Sequence, residues 1–237
     1  MGEYIVYETD ERMYFLRRML KGRHPSRDTH IFAPNIIITE ERMERVKTGD
    51  ALVCGVMDDG ARAAAADRRI DVYRLSADEK FQARNAALTA EAALAIVIDH
   101  SMLSLDEMRV LVMGFGRTGA AVCRLLDRLN VKFDVVTGAS ARPAGAFAQC
   151  TTSAETADLS LYDVVINTVP EAVISDERAL TVKPSAVYVD LASTPALNIA
   201  LLRNLGMDAE KYPALPAKCS PESAARAIKD FIAEVVE

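Results

Sequence analysis

A glycine-rich stretch near the middle of the chain has the residue types and spacing that bind a phosphate-bearing ligand. Residues 110–119 read Val-Leu-Val-Met-Gly-Phe-Gly-Arg-Thr-Gly, and an apolar helical pattern follows at once. A strand, a turn with the spacing Gly-x-Gly-x-x-Gly and a helix are typical of dinucleotide binding, with the pyrophosphate at the helix start. The alternative is a purely structural turn. The pyrophosphate is predicted at Gly116–Thr118, with Gly114 permitting the turn and Gly119 the close packing of helix and strand. The residues predicted to form this part of the cofactor site are Gly114, Gly116, Arg117, Thr118 and Gly119.

The residues after the next strand bear on which nicotinamide cofactor fits. An NAD site has an acidic residue about 20 positions past the loop, at the ribose 2′-hydroxyl. Here Asp134 lies inside the strand pattern, a poor position for that role, and Thr137, Ser140 and Arg142 follow it. Hydroxyls and an arginine suit a 2′-phosphate, because arginine offers it a fixed fork of donors. We therefore predict NADP, with NAD as the alternative and Arg142 then an ordinary loop charge.

Polar residues also follow two later strands of the same half. Asn167, Thr168 and Pro170 end one apolar run, and Asp190 and Ser193 end the next. Ligands of open parallel sheets lie outside the carboxyl ends of the strands, so these residues are predicted to contact the cofactor. Helix capping by the same residue types is the alternative.

His100 and Glu91 are the candidate catalytic residues. His100 ends a long helical pattern near the expected junction of two domains, where a histidine with a near-neutral pKa can relay the proton that accompanies hydride transfer. Glu91 lies nine positions earlier and is expected to be buried with a partner. The alternative for His100 is a structural role at the helix C-terminus, where the dipole favours a cation.

Alternating apolar strands and amphipathic stretches predict an α/β protein with parallel sheets. We expect a smaller N-terminal α/β domain, residues 1–100, that ends in a linking helix Phe81–Ser101. A Rossmann-type doubly wound domain, residues 101–237, follows, and its last helix, Pro221–Val236, packs back on the first domain. A further helix is predicted to open at Thr39 and to close at Gly49.

Composition excludes several classes of protein. The net charge of -6 over 237 residues argues against nucleic-acid binding, and no apolar run reaches the length of a membrane span. The first residues lack a leader pattern, so we expect a cytoplasmic protein. Four widely spaced cysteines predict free, buried thiols, and with only three histidines no metal site is expected.

Several dispersed motifs between about residue 71 and the C-terminus resemble one known family. The matching segments, in chain order, are Asn85, Thr89-Ala90-Glu91, Asp99-His100, 112–119, 166–170, 190–193 with Pro195, and Leu215-Pro216 with Pro221. Together they are similar to the family of dipicolinate synthase A subunits, oxidoreductases of bacterial spore formation. The first 70 residues match weakly.

The resemblance implies a two-domain fold like that of 2-hydroxyacid dehydrogenases. It implies a nicotinamide-dependent step between a dihydrodipicolinate-type cyclic dicarboxylate and pyridine-2,6-dicarboxylate, beside a flavoprotein-like B subunit. A dicarboxylate requires cations, for which Arg117, Lys218 and Arg84 are candidates. Apolar helices predict a homodimer.

The chain departs from the family where the family uses glycine. Alanine stands there at positions 92, 196, 214, 217 and 225. Because glycine serves positive φ or close backbone approach, we expect a repacked backbone, an altered cleft and weak turnover with nucleotide binding retained. The alternative function is a non-catalytic or substrate-diverged nucleotide-binding subunit or sensor of the same fold.

Overall fold

The computed structural model describes residues 1–137, 151–153, 156–171 and 174–236. The chain forms two compact units. Unit 1 comprises Met1–Leu88 together with Pro216–Glu237, and unit 2 comprises Thr89–Leu215. The boundary therefore lies within the long linking helix, and the last residues of the chain belong to unit 1.

The structure confirms the predicted α/β class with parallel sheets. The strands are β1 (Tyr4–Val6), β2 (Thr29–Ile31), β3 (Ile37–Ile38), β4 (Ala51–Cys54), β5 (Val56–Met57), β6 (Asp71–Arg74), β7 (Arg109–Met113), β8 (Lys132–Val136), β9 (Thr151–Thr152), β10 (Val164–Asn167), β11 (Val187–Asp190) and β12 (Asp208–Lys211). The helices are α1 (Glu11–Leu20), α2 (Asp59–Asp67), α3 (Glu79–His100), α4 (Arg117–Arg128), α5 (Asp176–Ala179), α6 (Ile199–Asn204), α7 (Leu215–Cys219) and α8 (Pro221–Val235). No helix among the residues described is long and apolar enough to cross a membrane.

Unit 1 is built on a parallel sheet in the order β1-β2-β4-β6, with β3 and β5 as a separate parallel pair. Successive side chains of a strand point to opposite faces, so each face has its own core. Ile31 and Val53 belong to the cluster that holds the apolar residues of α1 and α8. Leu52 and Cys54 belong to a second cluster that holds Ala61 and Ala65 of α2. Helices α1 and α8 pack against each other in this unit.

Unit 2 contains a six-stranded parallel sheet in the order β12-β11-β10-β7-β8-β9. The chain runs outward from β7 through β8 to β9, then returns to the other side of β7 and continues through β10 to β12. This is the Rossmann order, and β7 and β10 flank the point at which the direction reverses. The carboxyl ends of these two strands therefore border the crevice in which such sheets bind ligands.

The helix predicted from Thr39 to Gly49 is wrong. Only a short 3-10 turn, Glu41–Met43, forms there. Met43 and Val46 are buried, and the Met43 carbonyl accepts from the Val46 N–H at 3.0 Å and from Arg68 Nη1 at 2.9 Å, so a bond from outside the segment completes the turn. The start signal at Thr39 and the stop signal at Gly49 can bracket a short turn as well as a helix, which is why they misled.

Cys54 and Cys123 are free and buried, as predicted. Cys219 is free but exposed, because it ends the short helix α7, so its expected burial is wrong. Cys150 lies outside the described residues.

Candidate functional site

The first glycine of the turn that follows β7 is required by backbone conformation and by space. Gly114 has φ of +98°, the left-handed region that side chains disfavour. A Cβ here would lie 2.5 Å from Thr168 Oγ1. The Gly114 N–H donates to the Val136 carbonyl at 2.7 Å, which ties the turn to β8.

The third glycine lets the start of α4 approach the turn. A Cβ on Gly119 would lie 2.1 Å from the Gly114 carbonyl oxygen, a distance that atoms cannot adopt. Gly114 and Gly119 thus pack closely against each other and against Thr168. This packing explains both glycines without any ligand.

The second glycine differs from its neighbours. Gly116 is the N-cap of α4, is exposed, and has an unstrained φ of -69°. Among the described residues, a Cβ on it would meet nothing within 4 Å and no side chain caps the helix there. The N-terminus of a twelve-residue helix therefore faces open space at Gly116, and its N–H groups and dipole favour an anion. Packing among the residues that the structure describes does not explain this glycine.

Thr168, at the end of β10, closes the glycine turn. Its N–H and its hydroxyl each donate to the Met113 carbonyl at 2.8 Å. The side chain is therefore used to join the ends of β7 and β10.

Asn167 and Asp190 are fully buried at the ends of neighbouring strands and bond to each other. Asn167 Nδ2 donates to Asp190 Oδ2 at 2.9 Å and to the Val169 carbonyl at 3.0 Å. Asp190 also accepts from the Tyr188 hydroxyl at 2.5 Å and from the Ala192 N–H at 2.9 Å. Burial, and then the bond to Asp190, raise the pKa of Tyr188. The network fixes the turns after β10 and β11.

Ser193 and Pro170 are exposed just beyond these turns. The Ser193 carbonyl accepts a hydrogen bond from Lys211 Nζ, at the end of β12. The residues predicted to bind a cofactor at the strand ends thus share one edge of the sheet with the glycine turn. Whether they contact a cofactor stays a prediction.

The carboxylate of Asp134 is hydrogen-bonded to two other side chains of unit 2. It accepts from Arg109 Nε at 2.9 Å and from the Tyr162 hydroxyl at 3.0 Å. Burial, followed by the neighbouring Asp134, raises the pKa of Tyr162 to about 12. Asp134 is thus already paired, which agrees with its poor position for a ribose.

Thr137, at the end of β8, has a buried hydroxyl oxygen for which the described residues provide no hydrogen-bond partner. It is one polar atom at the predicted ribose position that a ligand hydroxyl or phosphate would satisfy. The predicted residues Ser140 and Arg142 lie outside the described part of the chain.

His100 lies at the other edge of this sheet. Its Nδ1 is 2.6 Å from Oδ2 of Asp208, the first residue of β12, whereas the glycine turn follows the last residue of β7. The bond to Asp208 raises the pKa of His100. The strands separate the imidazole from the glycine turn, so this position favours the structural alternative.

Glu91 is exposed, so the expectation of a buried carboxylate is wrong. The small apolar residues of α3 lie on more than one face, so the sequence did not show which face is covered. In the structure Ala92 and Ala93 pack against Leu215, and Glu91 is exposed. Arg84 and Lys218, in unit 1, are exposed, as is Arg117 in unit 2.

The five alanines at positions where the family uses glycine differ in backbone conformation and in burial. Ala214 has φ of +57°, a left-handed conformation that glycine adopts more readily than alanine, so its methyl group is accommodated with backbone strain. The expected repacking relative to the family stays a prediction. The other four are buried in the structure; they are Ala92, Ala196, Ala217 and Ala225.

Sequence reasoning also missed Arg12, which is 3% exposed at the start of α1. The available signal was Asp-x-Arg shortly after the first strand. The N-cap aspartate suits a helix start, but a basic residue in the first turn opposes the helix dipole.

No protein-family model matches the chain. Among curated proteins, it is 21% identical over 206 residues to the A subunit of dipicolinate synthase from Bacillus subtilis (strain 168), across 85% of this chain and 69% of that protein. The crystal structure of the dipicolinate synthase A chain from Bacillus subtilis matches with a TM-score of 0.79 and 17% identity, across 99% of this chain and 96% of that one. The predicted resemblance is thus confirmed.

The fold extends to dehydrogenases. The structure of NAD-dependent formate dehydrogenase from Staphylococcus aureus in complex with NAD matches with a TM-score of 0.57 and 16% identity, across 89% of this chain and 78% of that one. The chain is therefore similar to the A subunit of dipicolinate synthase and has an α/β fold shared with Rossmann-type dehydrogenases.

Proposed function

We propose that this protein is a nicotinamide-dependent oxidoreductase of the same type as the dipicolinate synthase A subunit. Its substrate would be a dihydrodipicolinate-type cyclic dicarboxylate, its product pyridine-2,6-dicarboxylate, and its setting spore formation. The observation that carries the proposal is Gly116, an exposed glycine with open space at the N-terminus of α4, between two glycines that packing requires. The similarity to the A subunit of dipicolinate synthase supports the substrate class.

The residues at the carboxyl edge of unit 2 fit a dinucleotide. Backbone N–H groups from Gly116 to Thr118 would bind the pyrophosphate, and the unpartnered hydroxyl of Thr137 would meet the adenosine ribose or its phosphate. Asn167 and Asp190 would hold the turns that shape the nicotinamide end, because their side chains are already bonded to each other. When bound, the nicotinamide supplies the hydride acceptor; the substrate loses that hydride and one proton.

We propose NADP as the preferred cofactor, on Thr137, Ser140 and Arg142. If so, Arg142→Ala lowers the ratio of NADP to NAD affinity, and an unaltered ratio in calorimetry would show that the assignment is wrong.

Titration calorimetry with NADPH and NADH tests cofactor binding. Gly116→Val should remove binding, because the side chain occupies the space of the phosphate. It should not unfold the protein, since φ is -69° and the site is open. Gly60→Val, in the first turn of α2, is the matched control and should bind as the unmodified protein does. Unchanged binding by Gly116→Val would overturn the proposal.

A second candidate is a nucleotide-binding protein of the same fold that does not turn over the dicarboxylate. The specific observation in its favour is His100, which lies at the opposite sheet edge from the glycine turn. A turnover assay separates the two functions.

Two assemblies belong to the proposal. One is a complex with a flavoprotein-like B subunit, which the similarity suggests. The other is a homodimer through apolar helices, supported by the exposed Ile98, Met102 and Leu103 at the end of α3. A monomer in sedimentation at micromolar concentration would contradict the homodimer.

A further inference from the structure

Arg12 is a buried arginine in an unfavourable place. It is 3% exposed and lies in the first turn of α1, where the helix dipole disfavours a positive charge. Arginine is rarely buried unless it is paired. Neither helix formation nor core packing therefore explains why a charged side chain is buried at this position.

The hydrogen bonds of Arg12 leave its guanidinium incompletely paired. Nη2 donates to Asp10 Oδ2 at 2.7 Å and to Asn35 Oδ1 at 2.6 Å. Nε is buried and has no partner in the described structure. The same Asp10 also caps the helix, accepting from the Met13 N–H at 3.1 Å through Oδ1. One shared carboxylate and one neutral amide are a small set of partners for a buried group with five donors.

The position of this group is the one at which parallel sheets bind ligands. Asp10 follows β1 and Asn35 follows β2, and these two strands are parallel neighbours. The guanidinium therefore lies at the carboxyl edge of the sheet of unit 1. Asn35 is exposed, so a solute can reach the guanidinium by displacing the amide.

We propose that Arg12 binds a carboxylate of a small-molecule dicarboxylate at this edge of unit 1, with Asn35 as a neutral placeholder that the carboxylate replaces. A charge-assisted bond to a carboxylate is stronger than one to an amide oxygen, which drives the exchange. A carboxylate also suits the site better than a phosphate, because Asp10 already contributes one negative charge and a phosphate brings nearly two more. The ligand class rests on the proposed function.

Calorimetry of the full chain with pyridine-2,6-dicarboxylate tests the proposal. Arg12→Gln should weaken binding about 10- to 100-fold, the range expected for a hydrogen bond to a charged group. Arg12→Lys should lose part of the affinity, since lysine keeps the charge but not the fork. Asn35→Ala should bind at least as tightly as the unmodified protein, because no amide competes. Arg62→Gln, an exposed arginine of the same unit, is the matched control and should have no effect.

Pyridine and inorganic phosphate are the comparison probes, and neither should give saturable binding at this site. Equal affinity of Arg12→Gln and the unmodified protein for the dicarboxylate would overturn the inference and leave the proposed function intact. If Arg12→Gln does not fold by circular dichroism, equal affinity of Arg12→Lys overturns it, as does loss of binding by Asn35→Ala. If the unmodified protein binds neither the dicarboxylate nor a nicotinamide nucleotide, the proposed function itself fails.

Discussion

His100 Nδ1 lies 2.6 Å from Asp208 Oδ2 at the amino edge of the sheet in unit 2. The hydrogen bond to Asp208 raises the pKa of the imidazole above its usual 6.5. A raised pKa in the folded state means that the pair stabilises the protein fully below the unfolded pKa. This stabilisation is lost as pH rises through the folded pKa.

We expect Asp208→Asn to lower the free energy of unfolding by about 0.5–1 kcal/mol at pH 5.5, a value limited by the exposure of the pair. The loss should be smaller at pH 8.5, because the contribution of the pair falls as pH rises through the raised pKa of the imidazole. Urea unfolding at both pH values measures it. A loss of equal size at both would contradict the assignment.

Gly119→Ala should destabilise the protein by about 1–3 kcal/mol, because overpacking forces backbone shifts and the new Cβ would lie 2.1 Å from the Gly114 oxygen. Gly116→Ala makes the same chemical change in open space and should cost less than about 1 kcal/mol, the range of an N-cap substitution. Denaturant midpoints of the two variants give the comparison. Similar losses would show that the turn relaxes around the added methyl group.

Ala214→Gly should stabilise the protein by about 0.5–1 kcal/mol. The gain comes from relieving a left-handed alanine, less the greater entropy of glycine in the unfolded chain. Ala217→Gly, three residues later in α7, is the matched control and should destabilise by about 1 kcal/mol as a glycine within a helix. Thermal unfolding of both variants decides; a lower Tm for Ala214→Gly would argue against strain at φ of +57°.

Turnover distinguishes the two candidate functions. With a dihydrodipicolinate-type substrate, NADP and the flavoprotein partner, we expect slow formation of dipicolinate while NADPH still binds. The physical reason is the added methyl volume at the four buried alanines in place of glycine. Ultraviolet absorbance of the product measures the rate. Robust formation would contradict slow turnover and favour a fully active enzyme.

The glycine turn could be predicted because all its information is local. A strand, three glycines and a helix follow one another within twenty residues, and β7, Gly114 and α4 lie where the pattern puts them. The strand-end positions of Asn167 and Asp190 were predictable for the same reason. Their bond to each other was not, because it depends on pairing between β10 and β11.

The position of His100 needed one further step. A helix that leads into a parallel strand ends at the amino edge of the sheet, so His100 before β7 lies opposite the glycine turn. Arg12 had a local signal in the sequence, but its partners could not be predicted. Its environment depends on Asn35, 23 positions away, and on which side of α1 is covered. Periodicity gives the face of a helix but not the partner of a buried charge.

The contact between Gly114 and Gly119 has a consequence for how this sequence can evolve. Because a Cβ on Gly119 would overlap the Gly114 oxygen and one on Gly114 would overlap Thr168, a change at either position destabilises the fold, whatever the protein binds. Retention of these two glycines among descendants would thus report selection for the architecture. Gly116 carries no such constraint, so a lineage that gave up its ligand would be free to replace it. Among the three glycines, only the retention of Gly116 would therefore indicate continued selection for ligand binding.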